Sequence, residues 1–375
     1  MEGARTPSRG EVFRYFFGLG FVNIGGPVAQ ITMLFQGIVE RRRWLDRDRF
    51  VRIMGVCHVL PGPEALQLAI YVGYLTGRTV GGIIAGLTFI LPGAVVMTVL
   101  AWGYVAYGAL PAVNDVLDVL KPAVLGIIAA GLVKIGRAAL TDARLIAISG
   151  FAFLLLALAR VDLLIVMALA GLANVASRRT LRAPPAVFAL APLVALTPAG
   201  WLDFIWVFLK TGLFSFGGAY GSIAFLQQGA VAEHGWLTAS QLLDGVALSV
   251  ATPGPFMLFA TFAGYLAAGV PGAAIATVAV FLPSFVLVLG FARWIERALE
   301  RPAFREAISG ISAAVVAVIL TVTIALAPAA VTGPLSVAVV AASFTAVTFL
   351  KRDVAQVAAA AMVAGLVFAL ARALS

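Results

Sequence analysis

Long apolar runs dominate the chain, and short polar or Gly/Pro-rich interruptions divide them. Residues 12–39 are apolar except at Asn23-Ile24-Gly25-Gly26-Pro27. As one straight helix this stretch would be ~42 Å long, too long for a simple span, so two half-helices meeting at Gly-Gly-Pro fit better. Residues 50–60 and 64–77 form a second broken pair around Pro61-Gly62-Pro63. Proline removes a backbone donor and clashes one turn back, and glycine is costly in a helix interior, so one helix stops there and another starts. Residues 79–105 are long enough to cross a bilayer, with a kink expected at Pro92-Gly93. Residues 106–120 read as a loop: Asp115 and Asp118 lie in it, and no Lys or Arg precedes Lys121. Spans near 122–139, 145–159 and 161–176 lead to Arg178-Arg179-Thr180-Leu181-Arg182, and a short span with Pro192 inside is expected over 186–197.

The second half repeats the first. Gly25-Gly26 pairs with Gly217-Gly218, Gln36-Gly37 with Gln228-Gly229, Trp44-Leu45 with Trp236-Leu237, and Pro61-Gly62-Pro63 with Pro253-Gly254-Pro255, all at an offset of 192. After a one-residue deletion, Tyr74-Leu75 pairs with Tyr265-Leu266 and Leu91-Pro92 with Leu282-Pro283. This ordered set marks an internal duplication, divided here into residues 1–183 and 184–375.

Composition fixes the setting. The chain is 62% hydrophobic and 11% charged, with mean hydropathy +1.04, far from the quarter charged of a soluble domain. An all-α polytopic membrane protein is expected, without a cleavable signal peptide at its polar, basic start. The single cysteine, Cys57, excludes an internal disulfide, and no P-loop is present. The net charge of +9 belongs to membrane topology and does not indicate nucleic acid.

The charges of the two copies are opposed. Residues 40–52 carry Arg41, Arg42, Arg43, Arg47, Arg49 and Arg52, whereas the counterpart 232–238 carries no Lys or Arg. After the kinked span the pattern reverses: the first copy has its acidic loop, and the second has Arg293, Arg297, Arg301 and Arg305. Basic loops stay cytoplasmic, so the two halves are expected in inverted, antiparallel orientation. Nine crossings and four re-entrant-like broken segments are expected, with the N-terminus inside and the C-terminus outside. Inverted repeats of discontinuous helices are a transporter architecture.

The breaks hold the candidate chemistry. Non-helical backbone at membrane depth is tolerated only in protein or against a cavity. A half-helix starting there points free N–H groups and a positive dipole end into the break, which suits an anion. The candidate binding residues are therefore Gly25, Gly26, Pro27, Pro61, Gly62, Pro63, Gly217, Gly218, Pro253, Gly254 and Pro255. Asn23, Gln30, Gln67, Ser215, Tyr220, Ser222 and Thr252 stand beside them as hydrogen-bond donors. Glu64 is an ionisable group at membrane depth, either a proton relay or a structural helix cap. His58 is a packing residue or a second relay group. Lys210 is an anion partner or snorkels to the interface. Arg78 is an entrance guard or a topogenic anchor. Trp44, Trp201 and Trp236 fit interfacial belts. Two histidines and one cysteine do not make a metal centre, no cofactor is implied, and no H-E-x-x-H or G-x-S-x-G motif supports an enzyme.

Gly25-Gly26-Pro27 with Gln30-Ile31, Val39-Glu40-Arg41-Arg42-Arg43-Trp44-Leu45, and Leu60-Pro61-Gly62-Pro63-Glu64-Ala65-Leu66-Gln67-Leu68-Ala69 with Tyr71-Val72-Gly73-Tyr74-Leu75 resemble the chromate ion transporter family. Gly81-Gly82 and Leu91-Pro92-Gly93 extend the resemblance, which covers nearly the whole chain as the long, two-domain form. It implies a bacterial or archaeal inner-membrane protein that exports chromate, driven by the proton-motive force. It also implies chromate resistance, sulfate as a competing dianion, and two antiparallel homologous halves. The expected partners are chromate, protons and the lipid bilayer, and a homodimer stays open. The second half departs from the pattern: Ala219 and Tyr220 follow Gly217-Gly218 where many relatives have a third glycine and a histidine. An inside-negative potential works on each charge by ~2.3 kcal/mol per 100 mV, so a dianion leaving alone moves downhill.

Overall fold

The computed structural model describes residues 7–108, 110–177, 200–216 and 219–374, all helix and connecting turns without a strand. The expected duplication is drawn twice, element by element. In the first copy, α1 (Arg9–Val22) breaks into α2 (Pro27–Phe35), which ends in a π-helical turn over Gln36–Arg41. Then come α3 (Arg47–Val59), α4 (Glu64–Tyr107), α5 (Pro111–Ala139), α6 (Ala143–Ala157) and α7 (Leu163–Ser177). The second copy begins with α8 (Trp201–Leu213), α9 (Ala219–Leu226) with its own π turn over Gln227–Glu233, and α10 (Ala239–Ala251). A 3-10 turn (Phe256–Leu258) leads into α11 (Phe259–Val286), followed by a π turn (Leu287–Phe291) and α12 (Ala292–Leu299). It closes with α13 (Pro302–Ala330), α14 (Pro334–Thr348) and α15 (Val354–Leu374). Unusual backbone is paired as well. Arg43 and Gly235, Arg78 and Gly269, Arg160 and Lys351, and Gly62 and Gly254 are repeat-mates, and all have positive φ.

Local chemistry explains the starts. Asp46 accepts from the Arg49 N–H to cap α3, and its repeat-mate Thr238 closes a capping box with Gln241 on α10. α4 and α11 each fold back on themselves. Gly77 (φ −137°) and Arg78 (φ 53°) leave helical geometry, as do Ala268 (φ −150°) and Gly269 (φ 63°). The two segments of each then pack so closely that a Cβ on Gly73 would meet the Gly81 carbonyl, and one on Gly264 the Gly272 carbonyl.

Three details differ from the expectations. Pro92 stays inside a regular helix, and the non-helical residues of α4 lie at Gly77 and Arg78 instead. The expected acidic loop 106–120 is mostly helix, because α5 begins at Pro111, where a proline at the first position loses no hydrogen bond. Trp44 is no belt anchor: it is 5% exposed, packed edge-on against Tyr15 with the Arg42 guanidinium over both rings. Trp201 is exposed, as a belt residue would be. The expected span over 186–197 and the divide at 183/184 lie outside the described residues.

Among the described residues, five helical stretches are long and apolar enough to cross a membrane: Glu64–Tyr107, Pro111–Ala139, Phe256–Phe291, Pro302–Ala330 and Val354–Leu374. Their outer faces carry exposed aliphatics such as Leu91, Val95, Val99, Val278, Leu366 and Leu370, as a lipid-facing surface requires. The halves interlock by exchange. α5 packs on α14 and α15 of the other copy, while its repeat-mate α13 packs on α6 and α7. Small residues permit the approach: Gly126 lies against the Val340 carbonyl, Gly310 against that of Ala170, and Gly365 against Val116. α4 and α11 pack on each other and carry α1 and α8 on their flanks. The breaks meet around this central pair.

Candidate functional site

Each Pro-Gly-Pro break requires a backbone that only glycine enters freely. Gly62 has φ +124° and Gly254 φ +107°, and Gly25 in the first break has φ +120°. These breaks join across the two halves. The Gly254 N–H donates to the Asn23 carbonyl at 2.8 Å, and the Gly62 N–H donates to the Ser215 carbonyl at 3.2 Å. Asn23 and Ser215 are repeat-mates, as are Gly62 and Gly254, so the two bonds form one reciprocal pattern. Flanking contacts repeat it. A Cβ on Gly93 of α4 would strike the Pro253 carbonyl, and its repeat-mate Ser284 of α11 stands 2.6 Å from where a Gly62 Cβ would lie.

The candidate donors separate once their partners are known. Gln30 is 3% exposed and spends its amide on the Gly25 and Gly254 carbonyls, at 3.1 and 2.9 Å. It therefore splices the two breaks and has no proton left for a ligand. Gln67 donates to the Pro61 carbonyl at 2.6 Å, bracing the loop from inside. Ser215 bonds back to the Gly212 carbonyl at 3.1 Å, and Thr252 to that of Ser249 at 3.4 Å. Ser249 in turn donates to the Phe256 carbonyl across the break. Tyr220 lays its ring on Gly131 of α5 and against Phe256, and Ser222 is buried and partnered.

Asn23 differs from all of these. It is 0% exposed, and neither Nδ2 nor Oδ1 has a hydrogen-bond partner among the described residues. An unpaired buried amide costs about 1–3 kcal/mol, so its retention at a break needs a reason. Gln67 Oε1 and Ser284 Oγ are likewise buried and unpaired at the mirror break. The new helices also start without side-chain caps. Gly26 before α2, Pro63 before α4 and Pro255 before the 3-10 turn make no cap bond, so their first N–H groups lack side-chain partners. Pro63 takes the cap position itself and Glu64 is the first helical residue.

The charged candidates divide. His58 Nδ1 lies 2.9 Å from Glu64 Oε2, bridging the end of α3 to the start of α4, with side-chain exposures of 47% and 19%. The sequence pointed to both residues without showing that they touch. Lys210 is 7% exposed with no ion-pair partner among the described residues, in the last turn of α8, where the helix dipole favours a cation. Arg78 is exposed at the fold-back of α4. Gly217 and Gly218 lie outside the described residues.

Two contributors escaped the sequence reading. Ser284 was visible as the residue after Leu282-Pro283, the mate of Gly93 after Leu91-Pro92. Asp353 caps α15 through the Ala355 N–H at 2.8 Å, and its Oδ1 lies 3.0 Å from where a Gly25 Cβ would be. Its repeat-mate Asp162 bonds the Leu164 N–H at the start of α7 in the same way, at 2.8 Å. The matched aspartates were the available signal.

Comparison with known proteins decides the family. A family model described as chromate transporter matches residues 10–175 and matches again over 202–368. The chain belongs to the chromate transporter family. It is 36% identical to the chromate transport protein of Pseudomonas aeruginosa over 337 residues, 84% of this chain and 80% of that protein. It is 33% identical to the chromate transport protein of Cupriavidus metallidurans over 341 residues, 86% of this chain and 84% of that one. A probable chromate transport protein of Synechococcus elongatus is 29% identical over 81% of each chain. No solved structure matches this transporter. The two matched segments of the transporter coincide with the two helical copies, and its relatives are named as transport proteins, not enzymes.

Proposed function

We propose that the protein exports chromate across the inner (plasma) membrane, driven by the proton-motive force, and holds the dianion where the breaks of the two halves interlock. The observation that carries the reading is Asn23, wholly buried at the break with both amide atoms unpaired among the described residues. Its Nδ2 donates to an oxyanion, and the uncapped helix starts supply further N–H groups and positive dipole ends. Lys210 adds a compensating charge. Sulfate presents four oxygens and two charges to the same donors and competes. The relatives named for chromate transport support chromate as the substrate.

The halves run antiparallel in this reading. In this reading α5, α6 and α7, joined by short turns, alternate in direction, which puts the start of α5 and the end of α7 at opposite ends. Asn174, near the end of α7, donates to the Glu306 carbonyl at 2.8 Å, near the start of α13. α13 is the repeat-mate of α5, so the two starts fall at opposite ends of the bundle. Arg372 at the end of α15 bonds Asp115 at the start of α5 at 2.8 Å, the reciprocal contact. The basic residues agree: residues 41–52 of the first half share the cytoplasmic side with Arg301 and Arg305 of the second.

Glu64 and His58 link transport to protons. With Glu64 ionised and His58 protonated the pair is neutral overall; when His58 loses its proton, a net negative charge remains at the break and opposes the anion. The direction is outward, because the voltage part of the proton-motive force favours exit of a dianion even with one proton carried along, by about 2.3 kcal/mol per 100 mV for the net negative charge. Purified protein in liposomes tests the function: saturable chromate flux, inhibited by sulfate and accelerated by an imposed pH gradient, is expected. Sulfate flux without chromate flux would reassign the substrate, and flux following voltage alone would remove the proton coupling.

A further inference from the structure

A second titratable cluster bridges the two halves away from the breaks. Asp244 on α10 is 2% exposed. Its Oδ2 accepts from the Tyr104 hydroxyl at 2.9 Å, near the end of α4. Among the described residues its Oδ1 makes no hydrogen bond, and Lys121 Nζ on α5 stands 3.9 Å away. That ammonium is instead hydrogen-bonded at 3.2 Å to Asp118, whose side chain is 65% exposed. Lys121 itself is 14% exposed. The three groups thus form a graded line from the surface to a buried carboxylate. α10 also packs on α11, α13 and α15, and among the described residues none of these brings an ion-pair partner to Asp244.

This is not the arrangement of a structural ion pair. A buried pair offsets the loss of water only when its geometry is close and its remaining lone pairs are bonded. Here one carboxylate oxygen is unsatisfied and the cation is shared with a better-placed exposed rival. The cluster is also absent from the other half. The repeat-mates of Asp244, Lys121, Tyr104 and Asp118 are Arg52, Ser312, Ile295 and Ser309. In a chain whose backbone bonds are duplicated so closely, this is a chemical asymmetry between two similar halves. Its placement connects it to the anion site. Asp244 lies seven residues before the end of α10, about 10 Å along the helix, and α10 runs directly into the Pro253-Gly254-Pro255 break. Gly254 holds the Asn23 carbonyl and takes the Gln30 amide, so a displacement of α10 reaches both halves of the site.

We infer that Asp244 is a proton-binding site of the transport cycle, on the second half alone, and that its protonation releases α10 from α4 and α5. The ionised carboxylate holds Tyr104 and attracts Lys121. A proton arriving at Oδ1 from the Asp118 side removes that attraction, and Lys121 stays with Asp118. The inference rests on the proton coupling proposed above and adds a second group with a different task. The Glu64–His58 pair sets how well the anion is held, and Asp244 sets whether the halves can move.

The test uses the full chain in liposomes, with chromate flux driven separately by a pH gradient and by voltage. At saturating chromate, where the Glu64–His58 pair no longer limits flux, Asp244→Asn is expected to lose the response to the pH gradient while keeping voltage-driven flux and chromate-for-chromate exchange. Tyr104→Phe and Lys121→Gln each remove support for the charged carboxylate, which raises its titration. Both should move the midpoint of the pH profile to higher pH, by roughly one unit for the lost hydrogen bond. These two variants keep the test decisive if Asp244→Asn does not fold. A wild-type response to the pH gradient that survives in Asp244→Asn overturns the inference while leaving proton coupling intact. An unmoved midpoint in both Tyr104→Phe and Lys121→Gln overturns it as well. A wild-type protein indifferent to the pH gradient overturns the coupling itself, and this assignment with it.

Discussion

The Gly254 N–H reaches the Asn23 carbonyl at 2.8 Å and so ties a break in the second half to a break in the first. Its mirror bond, from Gly62 to Ser215, closes the other side at 3.2 Å. Both donors sit at positive φ, where a side chain costs roughly 1–2 kcal/mol. At Gly62 a Cβ would also stand 2.6 Å from both Gln67 Nε2 and Ser284 Oγ. Gly62→Ala and Gly254→Ala are therefore expected to lower the thermal stability of the purified protein and to abolish chromate flux. Wild-type melting and flux in both would mean that the reciprocal bonds are incidental.

Opposed orientation predicts opposed accessibility. Arg43 and Gly235 are repeat-mates at the tight turns after the two π turns, and both are exposed. Single cysteines at these positions, in a Cys57→Ser background because Cys57 is buried, should react with a membrane-impermeant maleimide from opposite faces. Labelling of both from one face would place the halves in parallel.

Much of this arrangement was legible in the sequence because it depends on local backbone rules. Glycine and proline announce a broken helix wherever they stand, and the offset of 192 lines up the two copies without any tertiary knowledge. The donors were not legible in the same way. Gln30 and Asn23 look equally suited to an anion, yet Gln30 is spent on two carbonyls, one of them 224 positions away, and Asn23 is not. Asp115 looked like a loop residue for a related reason. It is 5% exposed and bonded by Arg372, 257 positions on, which no local pattern reveals. His58 and Glu64 were both visible, but their contact depends on the angle at which α3 and α4 leave the break.

The Glu64–His58 pair makes a prediction about pH. Its charge goes from neutral to negative when His58 loses its proton, so the apparent KM for chromate should rise with pH. In Glu64→Gln His58 still loses its proton, but without the carboxylate partner it does so at lower pH, so the rise in KM should shift to lower pH while the protein folds normally. An unchanged KM profile would reduce Glu64 to a residue that merely opens α4.

Lys210 is expected to act on affinity alone. It is buried without an ion-pair partner among the described residues, and removing such a cation relieves a desolvation cost. Lys210→Ala should raise the KM for chromate by about tenfold, the loss of one charge-assisted bond, with stability equal to or above wild type. A lowered melting temperature with an unaltered KM would make Lys210 a structural anchor.

Equilibrium chromate binding to purified wild type and Asn23→Ala, with thermal melts on the same samples, tests the central claim most directly. The unpaired amide contributes nothing to the empty fold, so the variant should melt at or above the wild-type temperature. It should also bind chromate at least about tenfold more weakly, since a hydrogen bond to a charged group is lost. Equal affinity in the two proteins would contradict the account and move the anion away from the interlocked breaks.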